Sequence, residues 1–247
     1  KSNETDLVTE ADSASEYFLR RELGSLLPDA GFWGEESNQR PAGGHYWLVD
    51  PIDGTVNFAH GVPYHAVNVA LVETKRDGSA EVGLAVTIEM PWRRVYFARP
   101  GEGAFMRDPL WGERRLQVSK ADTLRKALLA TGFPYHSGEN DDANDLEFAW
   151  FAPRVLGMRV LGAAAIDSAQ VAAGILAGFW EGWLNPWDCA AGALLVREAG
   201  GKVTDYKGNE WHFGSPGFVA SNGLIHDALV EGILEAREGL KSPLMLL

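Results

Sequence analysis

The sequence predicts a mixed α/β (α+β) fold, and three observations carry that expectation. Apolar and β-branched runs at 66–73, 80–88, 94–99 and 116–119 are separated by Gly, Pro and Asp turns, the pattern of a meandering antiparallel sheet. From about residue 122 strand-like runs alternate with helix-like ones. Ahead of both lies an amphipathic segment that Pro28 stops.

Taken in order, residues 9–27 are predicted helical, with Ala11, Ala14, Tyr17, Phe18 and Leu26 as the apolar stripe. Phe32-Trp33-Gly34-Glu35-Glu36 reads as a Gly-bounded turn, 38–44 as a polar loop, and 46–49 as a buried strand. After the meander come a strand at 127–131, a helix at 145–151, an Ala-rich helix at 162–177 and a strand at 178–181. A small-residue helix at 188–199 ends at Gly200-Gly201, and strands at 202–204 and 218–221 lead to a last helix at 226–238. No repeat or low-complexity linker appears, so two sub-domains sharing one interface are expected, 1–122 and 123–247.

The chain has 247 residues, 46% hydrophobic and 23% charged, enough to bury a large core. With 34 acidic and 22 basic residues its net charge is -12, which opposes direct nucleic-acid binding and anionic membrane surfaces. A small anionic substrate must approach against that field, so its site needs bound metal or well-placed Lys and Arg. The single Cys189 excludes an internal disulfide, fits a reducing compartment and reads as a small buried residue. No membrane span or signal peptide is visible, so a cytoplasmic location is expected. The first residue is Lys1 rather than Met, which is compatible with residues upstream.

Chemistry gathers at the end of the 46–49 strand. Asp50 and Asp53 stand three apart across Pro51, and with the Ile52 carbonyl they offer three oxygens in four residues, donors that suit a hard cation such as magnesium. The same spacing also fits a plain type I turn. Gly54-Thr55-Val56-Asn57-Phe58 reads as a helix start whose free N–H groups can hold an anion, or as one where Thr55 merely caps. Gly34-Glu35-Glu36-Ser37 adds two carboxylates or is a surface turn, and Asp188 after Pro186-Trp187 is a ligand or an N-cap. Phe179 and Trp180 read as core, and the acidic run 139–147 as a solvated loop without calcium-loop spacing.

These pieces in this order resemble the inositol monophosphatase family across nearly the whole chain. The resemblance rests on Gly34-Glu35-Glu36, on Trp47-Leu48-Val49-Asp50-Pro51-Ile52-Asp53-Gly54-Thr55-Val56-Asn57-Phe58 and on Gly61-Val62-Pro63. It continues through Gly162-Ala163-Ala164-Ala165-Ile166-Asp167, Trp187-Asp188-Cys189-Ala190-Ala191-Gly192 and Glu198-Ala199-Gly200-Gly201. It implies a layered αβαβα sandwich of the sugar-phosphatase type.

By that resemblance, Glu35, Asp50 and the Ile52 carbonyl would hold a first Mg2+ and Asp50, Asp53 and Asp188 a second, with Glu35 serving a third through water. Gly54 and Thr55 would bind the phosphate. Asp12 would pair with Thr55 to activate water for in-line attack, although Asp12 also fits a charge that favours the helix dipole. Lys1 occupies a position of active-site interest, or is only a terminal lysine. Gly162, Ala163 and Ala164 would lie beside the leaving group, and Glu181 would accept hydrogen bonds from substrate hydroxyls. Position 163 often carries Ser or Thr in the family, so one side-chain hydrogen bond to substrate is expected to be missing.

The implied activity is a lithium-sensitive, Mg2+-dependent phosphomonoesterase acting on a small polyol or sugar phosphate, inositol monophosphate first, as a homodimer. Alternatives within the superfamily are histidinol-phosphate, fructose-1,6-bisphosphate and nucleotide 3′-phosphate phosphatases. A regulatory binding protein retaining the fold is the alternative outside catalysis.

Overall fold

Helix α1 (Glu10–Leu26) shows how the site governs the fold. Its inward face is not the stripe the sequence suggested: Tyr17, Phe18 and Leu26 are exposed at 71%, 54% and 74%. The buried face runs instead through Asp12, Glu16, Leu19 and Leu23, one residue per turn. Its first half is polar because it faces acidic chemistry rather than apolar core, so hydrophobicity alone selects the wrong side. The computed structural model from which this follows describes residues 10–75, 77–134 and 144–239. Lys1 and acidic residues 139, 141 and 142 lie outside them.

A seven-stranded sheet follows chain order: β1 (Gly31–Gly34), β2 (His45–Asp53), β3 (Ala66–Thr74), β4 (Ala80–Glu89), β5 (Arg94–Arg99), β6 (Gly103–Asp108) and β7 (Gly112–Arg115). Only β1 against β2 is parallel; the rest is the expected antiparallel meander. Residues 32–34, predicted as part of a turn, belong instead to strand β1, and the turn begins beyond them at Glu35. The strand predicted at 116–119 is an extended link, with Leu116 N–H donating to Ala104 and Val118 N–H to Ala199. In its place stand β6 and β7. The latter is an exposed edge strand, Gly-Glu-Arg-Arg, that pairing rather than hydrophobicity defines.

The second sheet has the order β11-β12-β10-β8-β9, from β8 (Leu128–Thr131), β9 (Gly157–Arg159), β10 (Gly178–Gly182), β11 (Lys202–Thr204) and β12 (Gly217–Ser221). Strand β9 was not expected; it is three residues long and only partly buried. Between the sheets lie α4 (Ala164–Ala172) and α5 (Pro186–Glu198), sharing one core with both. They approach closely because Gly192 has no side chain: a Cβ there would overlap Ser168. Helix α4 is shorter than the predicted 162–177, bounded by Gly162 and Gly174 in the left-handed region at φ 77° and 73°.

Helices α3 (Asp145–Phe151) and α6 (His226–Gly239) cover the outer face of the second sheet, and α1 the outer face of the first. The layers are therefore α, β, α, β, α. A short α2 (Thr55–Ala59) follows β2. Phe179 and Trp180 are fully buried, as expected of core, and Cys189 is buried with its thiol on the Asn185 carbonyl. Glu147, read as part of a solvated loop, is instead buried in α3 and paired with Arg237 of α6.

One polar link crosses this core. Buried Asn68 of β3 donates to the Trp187 carbonyl at 2.7 Å and accepts the Thr87 hydroxyl at 2.7 Å, fixing the start of α5 over the first sheet. Asn68→Ala removes both hydrogen bonds and leaves the buried Thr87 hydroxyl without its partner, so urea unfolding should show a loss of about 2 kcal/mol. A loss under about 0.5 kcal/mol, the scale of an ordinary surface change, contradicts this account.

Candidate active site

Strand β2 runs through the acidic motif, and its pairing with β3 shifts register between Asp50 and Asp53, Asp50 standing opposite Asn68 and Asp53 opposite Ala66, so the irregularity falls between the two carboxylates. Asp50 takes the Ile52 N–H at 3.0 Å. Gly54 then turns the chain at φ 84°; a Cβ there would stand 3.1 Å from the carbonyl oxygens of Tyr64 and Gly162, so both conformation and space require glycine.

Asp53 reaches across to the second motif. Its two oxygens accept the N–H groups of Ala164 and Ala165, at 3.2 and 2.9 Å, at the start of α4. Asn57 makes a second bridge, donating to Tyr64 O at 2.8 Å and Leu161 O at 2.7 Å. Asp188 is the third residue of α5 and not its N-cap: Asn185 caps, and its N–H donates back to Asp188 Oδ2 at 2.7 Å in a capping box.

Helix α1 supplies the rear wall. Thr55 Oγ1 lies 3.2 Å from Asp12 Oδ1 and 3.0 Å from Ile52 O, so its one proton serves either acceptor. Ser15 donates to Pro51 O at 3.0 Å. Glu16 accepts the N–H groups of Glu36 and Ser37, at 2.8 and 3.2 Å, which anchors the turn carrying Glu35.

The result is a cleft of about 500 Å³ whose walls include Glu35, Asp50, Ile52, Asp53, Gly54, Thr55, Gly162, Ala164, Glu181 and Asp188, with no Lys or Arg among its described lining residues. Two expected residues stand outside it. Asp12 is buried behind Thr55, and Ala163 packs with Ala66 and Ile166, its methyl against Gly54.

Burial makes these acids hard to ionise. Burial, and then the charges of Glu35, Asp53 and Asp188, push Asp50 well above the usual carboxylate range. Burial raises Asp53 to about 7 against the pull of the Ala165 and Ala164 amides. Burial, and then the Asp53 charge, raise Asp188 to about 7. Glu181 is raised by burial and by Asp167, Asp188 and Asp53. Oxygen donors of this kind, gathered without a counter-charge, fit a hard divalent cation. Among the described residues, as they stand, no group of three or more His, Cys, Asp or Glu side chains is gathered closely enough to hold a metal ion.

Sequence reasoning missed Glu16, Asn57 and the Asp167–Tyr64 pair, in which the Tyr64 hydroxyl donates to Asp167 at 2.7 Å. Glu16 alone had a local signal, one helical turn beyond Asp12.

The inositol monophosphatase family profile matches residues 1–242. Phosphatase IMPL1, chloroplastic, from Arabidopsis thaliana is 40% identical over 96% of the chain, which spans only 64% of that relative. Inositol-1-monophosphatase from Rhizobium meliloti is 40% identical over 92% of the chain and 83% of its own length. Two further relatives bear other names: fructose-1,6-bisphosphatase/inositol-1-monophosphatase from Thermotoga maritima (36% identity; 96% of the chain, 86% of the relative) and Nus factor SuhB from Pseudomonas aeruginosa (38%; 92% and 83%). A solved Thermotoga maritima IMPase superposes with a TM-score of 0.85 at 34% identity, covering 97% of this chain and 88% of that one.

Layered fold, acidic cleft and relatives together define a phosphomonoesterase. The chain belongs to the inositol monophosphatase family, whose activity needs a divalent metal. Among the described residues no helix is long and apolar enough to cross a membrane.

The raised acids give a test by pH. Without divalent ions, Asp53 and Asp188 hold protons up to about pH 7 when folded but only to the ordinary value of 3.8 when unfolded. Between those values the folded state binds more protons, so its stability falls as pH rises. A cation on the ionised acids offsets that loss. Thermal melting in chelator should therefore decline from about pH 5 to 7.5, and the Tm gain from saturating Mg2+ should widen over the same interval. An equal gain at both ends contradicts the assignment.

Proposed function

We propose that the chain is a Mg2+-dependent phosphomonoesterase for a small polyol or sugar phosphate, with inositol monophosphate the first candidate. One observation carries the reading: a cleft lined by buried and partly buried acids, without basic residues among its described lining, faces a turn of free N–H groups and a hydroxyl at Gly54 and Thr55. Such a site accepts a phosphate only with cations between.

In this reading the Ile52 carbonyl and the carboxylates of Glu35, Asp50, Asp53 and Asp188 hold two to three Mg2+ ions. The bound metal supplies positive charge that acidifies the attacking water and neutralises the leaving oxygen. Gly54 and Thr55 N–H groups hold the phosphate, and the Thr55 hydroxyl orients the water while its proton passes to Asp12, 3.2 Å away. Asp53 keeps the two motifs at a fixed separation through its α4 amides.

On the alcohol side, Glu181 accepts substrate hydroxyls beside Gly162 and Ala164. Ala163 contributes no hydroxyl, so recognition leans on Glu181. Histidinol phosphate, fructose 1,6-bisphosphate and nucleotide 3′-phosphates are the alternatives to inositol monophosphate, and a regulatory binding role is the alternative to catalysis, motivated by the relative named Nus factor SuhB. A homodimer, sensitivity to lithium and a cytoplasmic location belong to the same proposal. So do sub-domains 1–122 and 123–247.

Phosphate release from inositol, histidinol, fructose and adenosine phosphates, with and without Mg2+ and Li+, tests the reading. Turnover should require Mg2+, decline with Li+ and favour the polyol ester. Asp53→Asn, which keeps one acceptor oxygen for the α4 amides, should lower kcat by at least about 1000-fold, the scale of losing a group that acts in the transition state, while circular dichroism still shows a folded protein, with a lower Tm. No hydrolysis of any ester at any Mg2+ concentration, or near-normal kcat in Asp53→Asn, sinks it.

A further inference from the structure

Gly132 follows β8 and lies beside Glu181, because the parallel pairing of β8 with β10 places Thr131 opposite Trp180 and the next residues side by side. It is buried, and its φ lies outside the left-handed region, so the backbone itself would accept any residue. What a side chain there would meet is the acid: the three atoms nearest to a Cβ built on Gly132 are the two oxygens and the carboxyl carbon of Glu181, all in overlap. The glycine is explained by the neighbouring carboxylate rather than by a turn.

Gly132 is also held in place. Its carbonyl accepts Asn144 Nδ2 at 2.8 Å, and Asn144 Oδ1 accepts the Tyr206 hydroxyl at 2.8 Å. Asn144 is 1% exposed, and Arg237 lies over the Tyr206 ring at 4.1 Å. On the strand side, Thr131 Oγ1 donates to Trp180 O at 2.8 Å. Gly132 therefore cannot move away from Glu181 to admit a larger residue without breaking a buried chain of hydrogen bonds.

We propose that Gly132 is a specificity-determining position: its missing side chain reserves the space in which the Glu181 carboxylate stands, and so sets the preference of the cleft for leaving groups that carry hydroxyls. This rests on the reading of Glu181 as the acceptor of substrate hydroxyls. A methyl at 132 meets the free end of a flexible side chain, not backbone, so the expected response is a displaced Glu181 in a folded protein.

The test is the ratio of kcat/KM for inositol 1-phosphate to that for p-nitrophenyl phosphate, whose leaving group has no aliphatic hydroxyl, at saturating Mg2+. Gly132→Ala should lower the ratio about tenfold, chiefly through KM for the polyol ester. Shortening the acid makes room for the methyl, so Gly132→Ala/Glu181→Asp should keep the ratio of Glu181→Asp alone to within about threefold. If Gly132→Ala does not fold, the double variant decides: folding with the ratio of Glu181→Asp supports the inference, and failure to fold overturns it. A ratio unchanged by Gly132→Ala, or a further tenfold loss when the methyl is added to Glu181→Asp, also overturns it. A wild-type protein that hydrolyses p-nitrophenyl phosphate with no preference for the polyol ester removes the reading of Glu181 and this inference together. A wild-type preference that survives Gly132→Ala removes the inference alone.

Discussion

The carboxylate of Asp53 is the constraint on which the rest of the molecule turns. It ends β2 in the first half of the chain, yet its two oxygens take the first free N–H groups of α4, more than a hundred residues away. A helix N-terminus buried between two sheets needs an acceptor, and an acid buried beside other acids needs donors. Each requirement is met by the other. The arrangement fixes the distance between the two sequence motifs, and it forces Asp50, Asp188 and Glu35 into the same cleft.

That arrangement explains where the sequence was legible. The segment 50–55 declares its chemistry locally, because strand end, left-handed glycine and helix start are consecutive, and its spacing survives without knowledge of the partner. Asp188 was legible as a candidate but not in its manner of placement, since the choice between Asn185 and Asp188 as cap depends on backbone geometry. The inward face of α1 was misread because half of it is acid. Asp12 and Glu16 are inside for the sake of Thr55 and the Glu35 turn, and no hydrophobic periodicity reports that. Strand β7 was missed for the opposite reason, since an exposed edge carries almost no apolar signal.

Residues that act through distant partners were the least legible. Asn57 looks like any helix-start asparagine until Leu161 and Tyr64 converge on it, and Gly132 looks like a loop glycine until Glu181 arrives from β10. Their roles are properties of the fold rather than of their neighbours in sequence.

The cleft is acidic and without a cation from its own described lining, in a chain of net charge -12. On the proposed reading, its affinity for a phosphate then depends on bound metal. Titration calorimetry of inorganic phosphate, first with divalent ions chelated and then at saturating Mg2+, addresses that claim most directly. The account predicts no measurable phosphate binding in chelator and affinity at least tenfold tighter with Mg2+, a difference of about 1.4 kcal/mol or more. Equal phosphate affinity in the two conditions would contradict it.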